Sequence, residues 1–241
     1  QFGLTAAEAA NFITQPNVVN VIGRINGGTP SLINGQLRIT GSEANLFLLN
    51  PVGVIFGQDA PLALPGDLSV STADGFAYAD NTLDVVGTPD YASLVGNPTG
   101  LVFRFSNPGS VLNAGELTLD DDSSLTLAGG SVVSTGTTSA GNVAISAVPG
   151  ERLIRLSPDG AILGYDIVAG NDSSLSPLNL PELLTGSADL VPSLRLEADG
   201  TIRLVNGDLA IPDTPGTTIV NGTAVANEIT LLGDTVGVVN S

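Results

Sequence analysis

A chain of 241 residues with 24 acidic and 7 basic side chains carries a net charge of −17, a field that opposes nucleic acid and anionic membrane surfaces. The absence of Cys and His excludes disulfides, thiolate chemistry, Ser-His-Asp and Cys-His mechanisms, and zinc sites built on those ligands. Apolar residues reach 42% while aromatics stay at 4% and charges at 13%, so the core is Leu, Val, Ile and Ala and the surface is Ser, Thr, Asn, Gly and Asp.

Residues 1–14 show no basic stretch followed by a continuous apolar one, and the opening Gln1-Phe2 reads as a processed or trimmed N-terminus. No window has the apolar length of a transmembrane helix, so membrane insertion is not expected. The first clear strand signal is Gly35-Gln-Leu37-Arg-Ile39, in which a Gly precedes two apolar residues separated by a polar one. Period-two alternation puts the apolar pair on one face of a strand, and the Gly permits a tight turn before it.

Residues 44–57, ANLFLLNPVGVIFG, predict two buried strands hinged on Asn50-Pro51-Val52-Gly53. Asn cannot transfer protons at neutral pH, which weakens a catalytic reading of this corner. A structural reading explains each residue. Asn50 bonds backbone where pairing stops, Pro51 fixes φ without an idle donor, and Gly53 lets the chain turn back.

The Gly-led unit returns at Gly66-Asp-Leu68-Ser-Val70. After a loop-like stretch over 74–101 anchored by Phe76, Tyr78 and Tyr91, it comes again at Gly115-Glu-Leu117-Thr-Leu119. Asp120-Asp121-Asp122 is the densest acidic run. It offers carboxylates for Ca²⁺ or for a carbohydrate-cleaving site, or else a solvated turn. Gly141-Asn-Val143-Ala-Ile145 repeats the setting of Gly115 after 26 residues.

A second interruption is expected over 149–192. It holds a hairpin signal at Pro158-Asp159-Gly160 and a short helix at Pro181–Leu184. Gly200-Thr-Ile202-Arg-Leu204, Gly207-Asp-Leu209-Ala-Ile211 and Asn227-Glu-Ile229-Thr-Leu231 read as further coil strands.

Units too short to bury their own apolar face, recurring at solenoid spacing with no helical period between them, predict an all-β fold. The expected architecture is a right-handed parallel β-helix forming a single domain over 1–241, with hairpin or antiparallel excursions packed outside it. A β-sandwich is the competing architecture, since it also uses short alternating strands.

Residues 20–73 resemble the secretion domain of the filamentous haemagglutinin family, the exoproteins of bacterial two-partner secretion. Asn50-Pro51-Val52-Gly53-Val54 is similar to the family's Asn-Pro-Asn-Gly-Ile corner, altered at its third and fifth positions. Ile22-Gly23-Arg24 to Gly28, Ser31 to Gly35 and Ser71-Thr72-Ala73 carry the rest of the likeness, and NLFLLNP followed by IFG is most similar to cyanobacterial members. The strands that usually precede Gln1-Phe2, and a second Asn-Pro-Asn-Leu motif of some members, have no counterpart.

The resemblance implies a domain recognised in the periplasm by the POTRA domains of an outer-membrane TpsB-type β-barrel transporter, and delivered to the outside or the cell surface. It implies no catalysis, cofactor or metal, and a monomer. It points to Asn45, Asn50, Pro51 and Gly53 as the transporter-recognition or structural motif. A β-helix lyase or glycosidase using Asp120–Asp122, and an adhesin binding glycans or proteins on its own face, are the alternatives.

Overall fold

The computed structural model describes residues 2–94, 96–156, 162–168, 170 and 174–239. The described residues wind through six coils. The first holds β1 (Ala9–Ile13), β2 (Asn20–Arg24) and β3 (Ser31–Ile33), and the second β4 (Gln36–Thr40), β5 (Asn45–Leu49) and β6 (Val54–Phe56). The third begins with β7 (Leu62–Ala63) and β8 (Leu68–Ser71). It leaves the solenoid through β9 (Gly75–Ala77), β10 (Thr82–Asp84) and β11 (Gly100–Phe103), and closes with β12 (Val111–Asn113).

β13 (Glu116–Thr118), β14 (Ser124–Gly129) and β15 (Ser131–Ser134) form the fourth coil. The fifth takes β16 (Thr137–Ser139) and β17 (Asn142–Ala147), then departs through β18 (Arg152–Leu156), β19 (Ile162–Ile167), α1 (Leu180–Leu184), β20 (Leu194–Leu196), β21 (Ile202–Leu204) and β22 (Ala210–Ile211). It returns at β23 (Thr217–Val220). β24 (Thr223–Val225), β25 (Glu228–Leu232) and β26 (Thr235–Val238) make the sixth.

Equivalent strands pair in parallel and build three walls. The second wall runs β2-β5-β8-β14-β17-β25 and the third β3-β6-β12-β15-β23-β26, while the first is split into β1-β4-β7 and β13-β16-β24. Leu46, Leu68, Leu125, Val143 and Ile229 stand in register up the second wall, as do Leu48, Val70, Leu127, Ile145 and Leu231. With Val54, Val111 and Val132 of the third wall they fill the interior, except at the last rung, where Ile229 is exposed and Leu231 half-buried. Stacking like on like explains the scarcity of aromatics: a branched aliphatic chain repeats well at strand spacing of about 4.8 Å. Phe2, Phe12 and Leu4 pack against this core at its N-terminal end.

Both departures leave after the second wall and return on the third. Each covers an outer face that also alternates apolar. The two excursions share one antiparallel sheet, ordered β10-β9-β11-β18-β19. It packs Phe76, Leu101, Phe103 and Ile154 onto Phe47, Leu49 and Ala128 of the second wall, with the rings of Phe47 and Phe76 edge to face at 5.5 Å and 89°. The helix and the antiparallel sheet β20-β21-β22 cover the third wall, setting Leu180, Leu183, Leu184, Ile202 and Leu204 on Ile55, Leu112, Val133 and Ile219.

The parallel β-helix expected from the repeats is the observed architecture. One assignment within it differs. The units led by Gly200 and Gly207 are not coil strands but arms of the antiparallel sheet on the third wall. Gly200 (φ +87°), Gly207 (φ +103°) and Asp208 (φ +54°) reverse the chain instead of carrying it round a corner. The short helix forms at Leu180–Leu184 under a capping box: Asn179 Oδ1 accepts the Glu182 N–H (2.9 Å) and the Asn179 N–H donates to Glu182 Oε2 (3.1 Å). β18 and β19 pair as a hairpin, while its expected turn at Pro158-Asp159-Gly160 lies outside the described residues.

Candidate functional site

Asn45 opens β5 and Asn50 follows its last residue, and the two serve separate polar systems. Asn50 is fully buried at the corner between the second and third walls. Its backbone N–H donates to Ser71 O of the coil above (3.0 Å). Its side-chain amide donates to Thr29 O and Ser31 Oγ of the coil below, both at 3.0 Å, and its Oδ1 accepts the Val52 N–H at 3.1 Å. The side chain thus closes its own turn and ties it to the coil below, while the backbone N–H ties the same residue to the coil above.

Pro51, Val52 and Gly53 are buried as well. Val52 O accepts the Leu178 N–H (2.9 Å), Gly53 O accepts the Ser31 N–H (3.0 Å), and the Val54 N–H donates to Ser110 O (3.1 Å). Gly53 holds φ +148°, and a Cβ built there would lie 2.8 Å from Leu183 Cδ1. The corner is therefore roofed by Leu178 and Leu183, residues more than 120 positions later in the chain. The same side-chain-to-i+2 bond recurs where Ser71 Oγ accepts the Ala73 N–H and Asn113 Oδ1 accepts the Gly115 N–H, each at 3.0 Å.

Asn45 belongs to a polar ladder climbing the start of the second wall. Asn20 Nδ2 donates to Asn97 Oδ1 (2.7 Å) and Asn45 Nδ2 to Asn20 Oδ1 (3.2 Å). The Asp67 N–H donates to Asn45 Oδ1 (3.0 Å), the Ser124 N–H to Asp67 Oδ1 (2.8 Å), and Asn142 Nδ2 to Ser124 Oγ (3.5 Å). In the sequence this ladder is marked by the single polar residue before each apolar pair, preceded by Gly at Asp67 and Asn142. Alternation does not encode the bonds made by Asn20, Thr29, Ser31, Asp67 and Asn97, because their partners lie a whole coil or an excursion away.

The only buried charge pairing among the described residues joins the first excursion to itself. Arg104 Nη1 contacts Asp74 Oδ1 (2.5 Å) and Asp84 Oδ1 (2.9 Å). Burial pushes the Asp74 carboxyl above its ordinary value, while the Arg104 backbone bond and guanidinium pull the other way. Arg24 Nη1 also donates to Asp84 O, fastening the first coil to the excursion.

Asp120, Asp121 and Asp122 stand exposed in the turn between β13 and β14. No group of three or more Asp or Glu among the described residues is placed to hold a metal ion. No helix among them is long and apolar enough to cross a membrane.

A parallel β-helix with hydrogen-bonded Asn corners, wrapped on two walls by its own antiparallel excursions, defines a solenoid domain. Residues 1–204 match the family described as TPS secretion domain, and the chain belongs to that family. It is a secretion-targeting domain of a two-partner secretion exoprotein, a class exported with a TpsB transporter as its partner. No curated protein matches the chain.

Proposed function

We propose that this domain is recognised in the periplasm by the POTRA domains of its outer-membrane TpsB transporter, and that its coils begin the β-helix of the exoprotein outside the cell. The reading rests on the family match over residues 1–204. It makes the chain a non-catalytic module similar to those of filamentous haemagglutinins, of the cyanobacterial kind, with no cofactor. Each coil needs only its predecessor as a template, which suits a chain that emerges in sequence. A chain without Cys forms no disulfide to block passage through a pore.

Within this reading Asn50, Pro51 and Gly53 act through shape. The folded domain buries them, so a receptor reaches them only before Leu178 and Leu183 close over the corner. Asn45, half-buried in the ladder, is assigned to the same structural role.

The test is capture by immobilised POTRA domains of the partner transporter, offered the full chain both folded and held unfolded in urea. Retention of either form supports the assignment. Retention of neither, with the transporter's own competence shown by a second exoprotein, would overturn it.

A further inference from the structure

Ser69 faces outward from β8, in register between Phe47 of β5 below and Thr126 of β14 above. It is 6% exposed, and its Oγ has no hydrogen-bond partner among the described residues. A hydroxyl brings one donor and two acceptor sites, and buried hydroxyls are almost always satisfied. Thr72, three residues on, illustrates the usual case by donating to Gly109 O at 2.7 Å.

Beside Ser69 lies a small, partly open cavity of about 20 Å³ between the second wall and both excursions, with the exposed Asn97 at its rim. Asn20, Asn45 and Asp67 of the ladder line one side, and Asn97, Pro98 and Leu156 of the excursions close the other. A single water needs about 10–15 Å³ measured in this way, together with two to four polar partners. The space thus admits one water and excludes any larger ligand. The lining suits a neutral guest. Asp67 is its one carboxylate, and Asp67 Oδ1 already accepts the Ser124 N–H.

We propose that this cavity is a binding site for one structural water, which joins Ser69 Oγ to the Asn45 and Asn97 side chains and so cements the first excursion onto the polar ladder. Asn97 uses its Oδ1 on Asn20, and its amide group remains the natural donor toward the cavity. The site draws on the wall and on both excursions at once, so the water is retained only when all three are docked.

Ser69→Ala decides the matter by sign. A hydroxyl bonded to a trapped water loses that bond on substitution, so the denaturation midpoint falls. A dry, unpaired hydroxyl is a liability whose removal raises the midpoint. The second measurement is a crystal structure of the full chain, at a resolution that shows ordered waters, for the unsubstituted protein and the variant. One peak within hydrogen-bonding distance of Ser69 Oγ in the former, absent or displaced in the latter, is the expected result. A raised or unchanged midpoint, or an empty cavity in the unsubstituted crystal, would overturn the proposal.

Discussion

Replacing Asn50 by Ala tests whether the corner is built for shape. The substitution removes three side-chain hydrogen bonds from a fully buried residue. The Val52 N–H is left buried without an acceptor, at a cost of about 1–3 kcal/mol, while each bond lost to a partner that water or rotation can satisfy costs about 0.5–1.5 kcal/mol. Thr29 is exposed, so its carbonyl rehydrates, and the Ser31 hydroxyl can rotate. The sum is about 3 kcal/mol, a large share of the stability of a typical domain. Urea unfolding followed by circular dichroism should show the midpoint fall with little change in slope. Asn50→Asp supplies a second reading. It keeps the acceptor for Val52 but turns a buried donor into a carboxylate facing Thr29 O, so the variant should recover stability at low pH, where a protonated carboxyl donates again. A loss below about 1 kcal/mol for Asn50→Ala, or no acid recovery for Asn50→Asp, would refute the argument that these bonds hold the corner.

Arg104→Ala leaves Asp74 buried without its cation and should cost about 3–5 kcal/mol by thermal or urea unfolding. Because burial raises the Asp74 carboxyl above its usual value, its contribution is fullest below about pH 4 and declines as pH rises through the folded value. Asp74→Asn should therefore gain relative to the unsubstituted domain as pH climbs through that window, and parallel pH profiles would contradict the assignment. Phe76→Ala opens a cavity beside Phe47 and should cost about 3–5 kcal/mol. Hydrogen exchange should quicken in β9 and β11 before the coils, and uniform quickening would show that the excursion is not a separate layer.

The coil architecture was legible because a solenoid asks the same question at every turn. Leu46, Leu68, Leu125 and Val143 answer it with the same residue type at the same step of the repeat. What alternation does not encode is the partner. Ile202 and Leu204 alternate as Leu68 and Val70 do, yet their strand pairs antiparallel outside the coil, because the deciding information sits in the backbone sign at Gly200 and Gly207. The Asn50 corner was legible as a turn for the same local reason. Its roof was not, since Leu178 and Leu183 reach it across a long stretch of chain that no periodicity links to it.

That roof bears on how targeting and folding are ordered. The second coil supplies the strands on either side of Asn50 and the first supplies Thr29 and Ser31, but Ser71 and Ser110 come from the third coil, and Leu178 and Leu183 from an excursion that starts only after the fifth has begun. Until that excursion docks, Ile55, Leu112 and Val133 present an uncovered apolar row on the third wall, with Pro51 and Gly53 beside it. On the proposed export route, a chain threading outward would expose its corner and this apolar wall longest, and hide both in a single late step. The net charge of −17 opposes self-association of a chain in that open state. Shortening the interval, by a substitution that speeds docking of residues 174–213, should reduce export without lowering stability if the transporter engages the open form. Equal export at equal stability would instead place recognition on surfaces that the folded domain already shows.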